Sequence, residues 1–432
     1  MPQLIYFDTR NQTVRVLLVV AVLLALIWSL FVVRWYLGNM MADYLDLNDS
    51  ESTAARRAVS LGPSDPLTHW RLGEFTQRRL PPDQMPEAVR QYEIAVSLSP
   101  NDYRLWMAFG TSLEQIGEVQ RGEQALRRAV ALAPSYALPR WYLGNLLLRS
   151  GRYDESFVEL RQASEANIEL RPQIFNLAWE VYSDDFDSLT TAVGVTPEAR
   201  ADFAAYLVGR EKVDEGIRLW NTLGSEEKMA NRAMGERIVT ALIKAQLFHK
   251  AIDISNDVVA TSGYSAKVGE LVNGGFEDEV PRGAGAAFSW QVGSVQAVQV
   301  GIDPQRGHLG SRSLRLVFQV RTGIDAIKLS QLVPVLPEQQ YELEFYLRTF
   351  KLEGTGTPIV EIVDAVNGSV LGVSQPAPNG TTEWHRITFS FKSPPKSEAI
   401  EIRINRAPCE DKTLCPIFGN VWYDDFSLKL RN

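Results

Sequence analysis

The chain has 432 residues, 45% hydrophobic, 22% charged and 10% aromatic, a composition that excludes wholesale disorder and fits two or three globular domains. Its formal net charge is -8 and it has no Lys/Arg-rich block. Nucleic acid is therefore not an expected partner, because phosphate neutralisation needs a basic surface.

The first element in the chain is apolar. Val16–Val33 is an unbroken run of 18 residues without a charge, bracketed by Arg15 and Arg34 and followed by Trp35 and Tyr36. At 1.5 Å per residue it spans about 27 Å, close to the hydrocarbon thickness of a bilayer, and the two aromatics stand where interfacial anchors belong. The expected organisation begins with a cytoplasmic tail, residues 1–15, and a transmembrane helix, residues 16–36. A cleaved signal peptide is the rival reading. Its apolar region is normally about 7–15 residues and ends at a small-residue cleavage site, and Gly38–Asp43 supplies no good one. Arg10 and Arg15 precede the span, whereas Asp43, Asp46, Asp49 and Glu51 follow it. The N-terminus is expected inside and the bulk of the chain outside, as in a single-pass protein of the cell inner membrane. Cys409 and Cys415 occupy one polar loop near the C-terminus. A bridge between them fits an oxidising compartment; two thiols in a cytosolic loop are the alternative, and zinc would need further Cys or His nearby.

A period of 34 residues follows. Pro100 and Pro134, Gly110 and Gly144, Gly117 and Gly151, and Ala129 and Ala163 are each 34 apart. One unit reads Trp106, Phe109, Gly110, Leu113, Gly117, Ala129, Leu132, Pro134. The preceding unit reads Trp70, Leu72, Gly73, Ala88, Tyr92, Ala95, Pro100, with an inter-helix turn (Pro81-Pro82-Asp83) about three residues longer. The following one reads Trp141, Gly144, Gly151, Tyr153, Ala163. Upstream, Ala58, Leu61 and Pro63 match a lone second helix. This pattern resembles the tetratricopeptide repeat (TPR), in which small residues let paired helices A and B approach, a glycine turns between them and proline ends helix B. Gly122 and Ser156 depart from it, standing where that family prefers alanine. The resemblance covers residues 50–168 and implies a helical superhelix whose groove binds protein partners. From residue 169 to 262 the pattern stays helical but eroded, as in Gly209–Gly216 with Trp220 and Leu247–Ala251. A continuing superhelix is expected, with a separate helical spacer as the alternative.

Around Ser262–Tyr264 the period changes to alternation. Ser313–Gln319, Ile327–Val335, Tyr341–Arg348, Trp384–Phe391, Ile400–Ile404 and Gly419–Leu430 read as short strands between Gly/Pro/Asn turns, hence an antiparallel sandwich. The series Leu271-Val272-Asn273-Gly274-Gly275-Phe276-Glu277, Trp290, Gly310-Ser311-Arg312-Ser313-Leu314, Tyr341–Phe345, Trp384 and Val421–Leu428 is similar to carbohydrate-binding modules of families 4, 9 and 22, which are galactose-binding-like jelly rolls. The expected fold is thus multidomain: a transmembrane helix, an all-α TPR superhelix, and an all-β jelly-roll sandwich over residues 269–432.

Strand parity sorts the sandwich residues. Glu344, Tyr346 and Arg348 share one polar face, Trp384 heads a second, and Arg403 with Asn405 forms a third. An aromatic ring among hydrogen-bonding groups is what a sugar needs, since its C–H faces stack while its hydroxyls pair. These six residues are the candidate carbohydrate site, and a solvated outer face is the plainer reading. Trp290 and Trp422 are expected in the core. The resemblance also implies a structural Ca²⁺ held by Glu277 and Asp424 or Asp425 with carbonyls of the Gly310–Ser313 loop, because calcium prefers six to eight oxygens.

No phosphate-binding glycine loop, Gly-x-Ser-x-Gly elbow or histidine cluster is present: His69, His249, His308 and His385 are scattered. The expected role is a non-enzymatic, membrane-anchored scaffold in cell-envelope polysaccharide assembly or export. It would bind protein partners by its repeats and envelope polysaccharide by its sandwich. A glycan-active enzyme or its targeting subunit is the alternative.

Overall fold

The computed structural model describes residues 12–44, 53–79, 85–194, 196–259, 265–280, 287–293, 298–320, 327, 329–409 and 415–431. The chain divides into two compact units, Met1–Gly194 and Val195–Asn432.

The first unit is helical. The apolar run lies in α1 (Gln12–Asp43), which continues past the expected end of the span at residue 36. Residues of the run expose large apolar side chains, for example Leu26 and Phe31, whereas Gly38 and Ala42 near the helix end are buried. Those last turns pack on α2 (Thr53–Leu61) and α3 (Pro66–Arg79). A Cβ on Gly38 would lie 2.7 Å from the Gly62 nitrogen and 2.9 Å from the Ala58 carbonyl oxygen, so only glycine permits this approach. Two bonds fix the contact: Arg34 donates to the Ser60 carbonyl (3.0 Å) and Asn39 to Asp65 (2.8 Å). The second helix that the sequence left without a partner thus has one, namely the end of the membrane-type helix.

The pairing repeats along α4 (Met85–Leu98), α5 (Tyr103–Gln115), α6 (Val119–Leu132), α7 (Ala137–Arg149) and α8 (Tyr153–Ala166). Ala58, Ala95, Ala129 and Ala163 are each fully buried on the second helix of a pair, as is Ala88. At the crossing, a Cβ on Gly110 would meet Leu126 Cγ at 2.7 Å, and one on Gly144 would meet Leu160 Cγ at 2.7 Å; on Gly73 it would meet the Tyr92 ring at 2.8 Å. The departures from the repeat pattern serve the same crossing. Gly122 faces the Gly110 carbonyl, and the Ser156 hydroxyl donates to the Gly144 carbonyl at 2.7 Å. Gly117 and Gly151 turn between helices at φ +85° and +74°, and Pro134 follows the end of α6. The aromatic pattern needs one correction. The Trp106 indole donates to the Pro100 carbonyl, six residues back (2.9 Å). The residues that repeat this contact are His69 to Pro63 and Arg140 to Pro134, not Trp70 and Trp141. The register is kept by the contact, and the residue type varies. The turn at Pro81–Asp83 lies outside the described residues. The unit ends with α9 (Arg171–Tyr182) and α10 (Phe186–Val193).

The second unit opens with α11 (Pro197–Gly209), α12 (Val213–Trp220), α13 (Ser225–Ala230), α14 (Arg232–Lys244) and α15 (Phe248–Val258). Gly216 sits at the α11/α12 contact as Gly122 does at its own, and buried Trp220 donates to Asp257 at 2.9 Å. The boundary between units therefore falls inside the region 169–262 that reads as one in the sequence. The change of period at Ser262–Tyr264 lies outside the described residues. These helices pack on the sandwich through His249, whose Nε2 bonds the Val335 carbonyl (3.0 Å) and whose backbone N–H donates to Glu398 (3.2 Å).

Among the described residues the sandwich has two five-stranded antiparallel sheets. The first contains β1 (Gln291–Val292), β4 (Leu329–Pro334), β9 (Ala399–Arg406), β6 (Pro358–Asp364) and β7 (Val370–Val373), in that spatial order. The second contains β2 (Val298–Asp303), β3 (Ser313–Val320), β10 (Ile417–Arg431), β5 (Gln340–Gly354) and β8 (Gly380–Lys392). Between them lies a continuous core that includes Phe276, Trp290, Leu316, Phe345, Ile402 and Tyr423. Cys409 and Cys415 are joined by a disulfide with their Cα atoms 6.0 Å apart.

Candidate functional site

Alternation along the second sheet sends Tyr341, Leu343, Phe345 and Leu347 of β5 into the core and leaves Glu344, Tyr346 and Arg348 outside. Three of the expected carbohydrate residues thus share one surface, and β8 adds Trp384. Arg403 and Asn405 do not belong with them. They lie on β9 in the other sheet, where Arg403 pairs with Glu401 and Asn405 reaches Glu361 at 3.4 Å. Parity alone assigns a residue to a face of its strand, and only the sheet order says which strands share that face.

A strap that the sequence suggested only at its Gly310–Ser313 end crosses this surface. Residues 304–312, between β2 and β3, bring His308 onto Tyr346, ring centroids 3.7 Å apart and nearly parallel at 17°. The same imidazole stands 5.8 Å from Trp384 at 59°, so the two form an open aromatic corner. Around it Glu344 binds both Arg386 (2.7 Å) and Lys429 (3.2 Å), and Arg348 meets Glu383 at 3.4 Å. Such a corner with charged hydrogen-bonding groups beside it can stack a sugar ring and pair its hydroxyls.

Carboxylates fasten the strap. Asp424, fully buried, accepts the His308 backbone N–H at 2.6 Å, and Asp425 accepts from the His308 ring at 2.7 Å. Glu277 accepts from the Ser311 and Arg312 backbone N–H groups (2.9 and 3.0 Å) and from the Ser311 hydroxyl. Burial, reinforced by the neighbouring charges of Asp425 and Glu277, pushes Asp424 up to about 6. The Arg312 and Ser311 N–H donors hold Glu277 below the ordinary carboxylate range. These residues do not fit the expected calcium. The 310–313 loop turns N–H donors toward Glu277 where a metal site needs its carbonyl oxygens. Among the described residues no three His, Cys, Asp or Glu groups gather as metal ligands.

Trp290 is in the core, packed on Phe276 and Phe426. Trp422 is also buried, but on the outer side of the sheet and not between the sheets. Its neighbours Val421 and Tyr423 face the core, and its own indole donates to Asp303 at 2.9 Å. In the helical unit, Phe157, Arg161, Tyr182, Ser188 and Thr191 line a separate cavity of about 350 Å³.

Residues 84–137 and 107–168 match the tetratricopeptide repeat. No curated protein matches the chain. Among solved structures it is similar to one described as "CBM4 structure and function", at 13% identity over 37% of this chain and 98% of that one, with a TM-score of 0.28. It is similar to the enzymatically active domain of tailspike protein 4 of bacteriophage CBA120 at 18% identity, over 38% of this chain and 22% of that one (TM-score 0.27). It is also similar to YrrB, a TPR protein with an unusual peptide-binding site, at 12% identity over 48% of this chain and 91% of that one (TM-score 0.26). The chain therefore carries TPR repeats, followed by a β sandwich. Among the described residues, α1 is the helix long and apolar enough to cross a membrane, and the disulfide points to an oxidising compartment.

Proposed function

We propose that the protein is a single-pass, non-enzymatic scaffold of the cell inner membrane. Its N-terminus lies in the cytoplasm, its repeats hold protein partners outside, and its sandwich binds glycan during envelope polysaccharide assembly or export. The observation that carries the glycan part is the His308–Trp384 corner, set among Glu344, Arg348 and Arg386 on the outer sheet face. The anchor is favoured over a cleaved signal because Gly38 and Ala42, on the same helix as the apolar run, are buried against the first repeat. Cleavage there would strip the first repeat of its packed partner.

The experiment is polysaccharide binding by detergent-purified full chain, followed by retardation in native gels containing each polymer. The parent should be retarded by at least one envelope polysaccharide, and Trp384→Ala should migrate freely. No retardation by any polymer would leave the sandwich as a protein-docking module. New reducing ends in the same incubations would show turnover and overturn the non-enzymatic reading.

A further inference from the structure

Three guanidinium groups converge on Trp422. Arg306 and Arg315 each lie 5.3 Å from the ring centroid and Arg348 lies 5.9 Å from it. Register accounts for two of them: Trp422 on β10 pairs with Arg315 on β3 and with Arg348 on β5, giving one row across three strands. The third comes from the strap, where the Arg306 carbonyl is held by the Ser313 hydroxyl. Such cations repel one another unless an anion shares their site, and the protein's own anions answer them poorly. Asp303 is turned to the Trp422 indole, and Arg315 spends its fork on the neutral amide of Asn420 (3.1 and 2.7 Å). Glu383 meets Arg348 at only 3.4 Å and its side chain is 80% exposed. The Arg348 Nε is buried without a hydrogen-bond partner, and exposed Arg306 makes no ion pair among the described residues. In a chain of net charge -8 this is a local surplus of cation. Beside the row lies a depression of about 260 Å³ lined by Gln299, Gly301, Asp303, Arg315 and Val317.

We propose that the Arg306–Arg315–Arg348 row is an anion subsite and that the sandwich takes an acidic polysaccharide, one bearing pendant carboxylate or sulfate groups. This rests on the glycan reading of the same face. The exposed Arg306 fork can pair with such an oxyanion through two parallel N–H···O bonds, with the N–H groups that Arg315 and Arg348 leave unused beside it. The Trp422 ring, flanked by Arg315 and Arg348 in the row, packs against the three guanidinium groups, and the His308–Trp384 corner along the sheet stacks a neighbouring sugar.

The test uses polymer pairs that share a backbone and differ in charge: polygalacturonate with its methyl ester, and dextran sulfate with dextran. Binding of the detergent-solubilised full chain is measured for each. The acidic member of at least one pair should bind about tenfold or more tightly than its neutral partner, and which pair responds separates carboxylate from sulfate. Arg306→Ala should cost about tenfold on the acidic polymer, as expected for one charge-assisted bond, and leave binding to the neutral one unchanged. Arg306→Glu, on the exposed strap, should cost more with no change in melting. Equal binding within both pairs would overturn the anion subsite and leave the glycan reading standing. Binding to none of the four would sink both. An undiminished acidic preference in the Arg306→Glu, Arg315→Gln double variant would place the anion elsewhere and end the proposal.

Discussion

At the scale of single residues, Trp384 and Asp424 carry the most. Trp384 is half-buried beside His308 and offers the open ring of the aromatic corner, so its replacement by alanine removes the stacking surface. An aromatic contact contributes about 1 kcal/mol beyond the area it buries. Trp384→Ala should therefore weaken glycan binding by about tenfold or more, while Arg403→Ala, on the other sheet, should leave it unchanged; equal losses would mean that the wrong face was chosen. Asp424 yields a prediction on pH. Its carboxyl stands at about 6 in the fold against an ordinary 3.8, so the folded state holds the proton more tightly. Its favourable contribution is complete below 3.8 and disappears as pH rises through about 6. Asp424→Asn has no such proton to lose. Relative to that variant the wild type should lose stability across this window in thermal melts, and parallel curves would contradict the burial of a poorly compensated charge. The outward facing of Glu344, Tyr346 and Arg348 was legible in the sequence because alternation is local. His308 and the true place of Trp422 were not, since a connecting strap shows no periodicity and parity cannot tell an outer face from an inner one.

At the scale of elements, the helix pairs were readable and the reason is again locality. A repeat is set by contacts between neighbouring helices, so Gly110, Gly144, Ala129 and Ala163 declare themselves by spacing alone. Gly110→Leu would drive a side chain into Leu126, whose Cγ already stands 2.7 Å from where a Cβ would go. A loss of about 1–3 kcal/mol in urea unfolding is expected, and an unchanged midpoint would dismiss the crossing. Trp106→Ala should cost a comparable amount through the cavity and the lost bond to Pro100. The strands were read less completely. The six segments inferred by alternation correspond to β3, β4, β5, β8, β9 and β10, but β1, β2, β6 and β7 escaped. β6 is apolar on both faces, Ile359, Val360, Ile362 and Val363 all being buried, and it starts at a proline. A short apolar run of that kind carries no period of two. The same blindness hid the partner of α2, because α1 is apolar enough to pass for a membrane span alone.

For the molecule as a whole, the helix proposed to span the bilayer also packs on the first helices of the repeat array. Gly38 marks the junction. Gly38→Leu would overlap the Ala58 carbonyl and the Gly62 backbone, so it should free the repeats from the anchor without releasing the protein from the membrane. Limited proteolysis of membrane-embedded protein should then cut between residues 44 and 53 much faster than in the parent; identical cleavage rates would count against a fused junction. The domain boundary was the feature least open to sequence reasoning. Helices α11–α15 look like worn repeats, yet His249 and its neighbours bind them to the sandwich across more than eighty residues of chain, a long-range contact that no window of sequence contains.

Whether one chain holds glycan at a membrane is measured in a single step by flotation. Full-length protein reconstituted into liposomes is mixed with fluorescent acidic polysaccharide and centrifuged through a density gradient. The polymer should rise with the vesicles bearing the parent protein, and stay at the bottom with vesicles bearing Trp384→Ala at the same protein density. Polymer left at the bottom in both samples, or rising equally in both, would contradict the account.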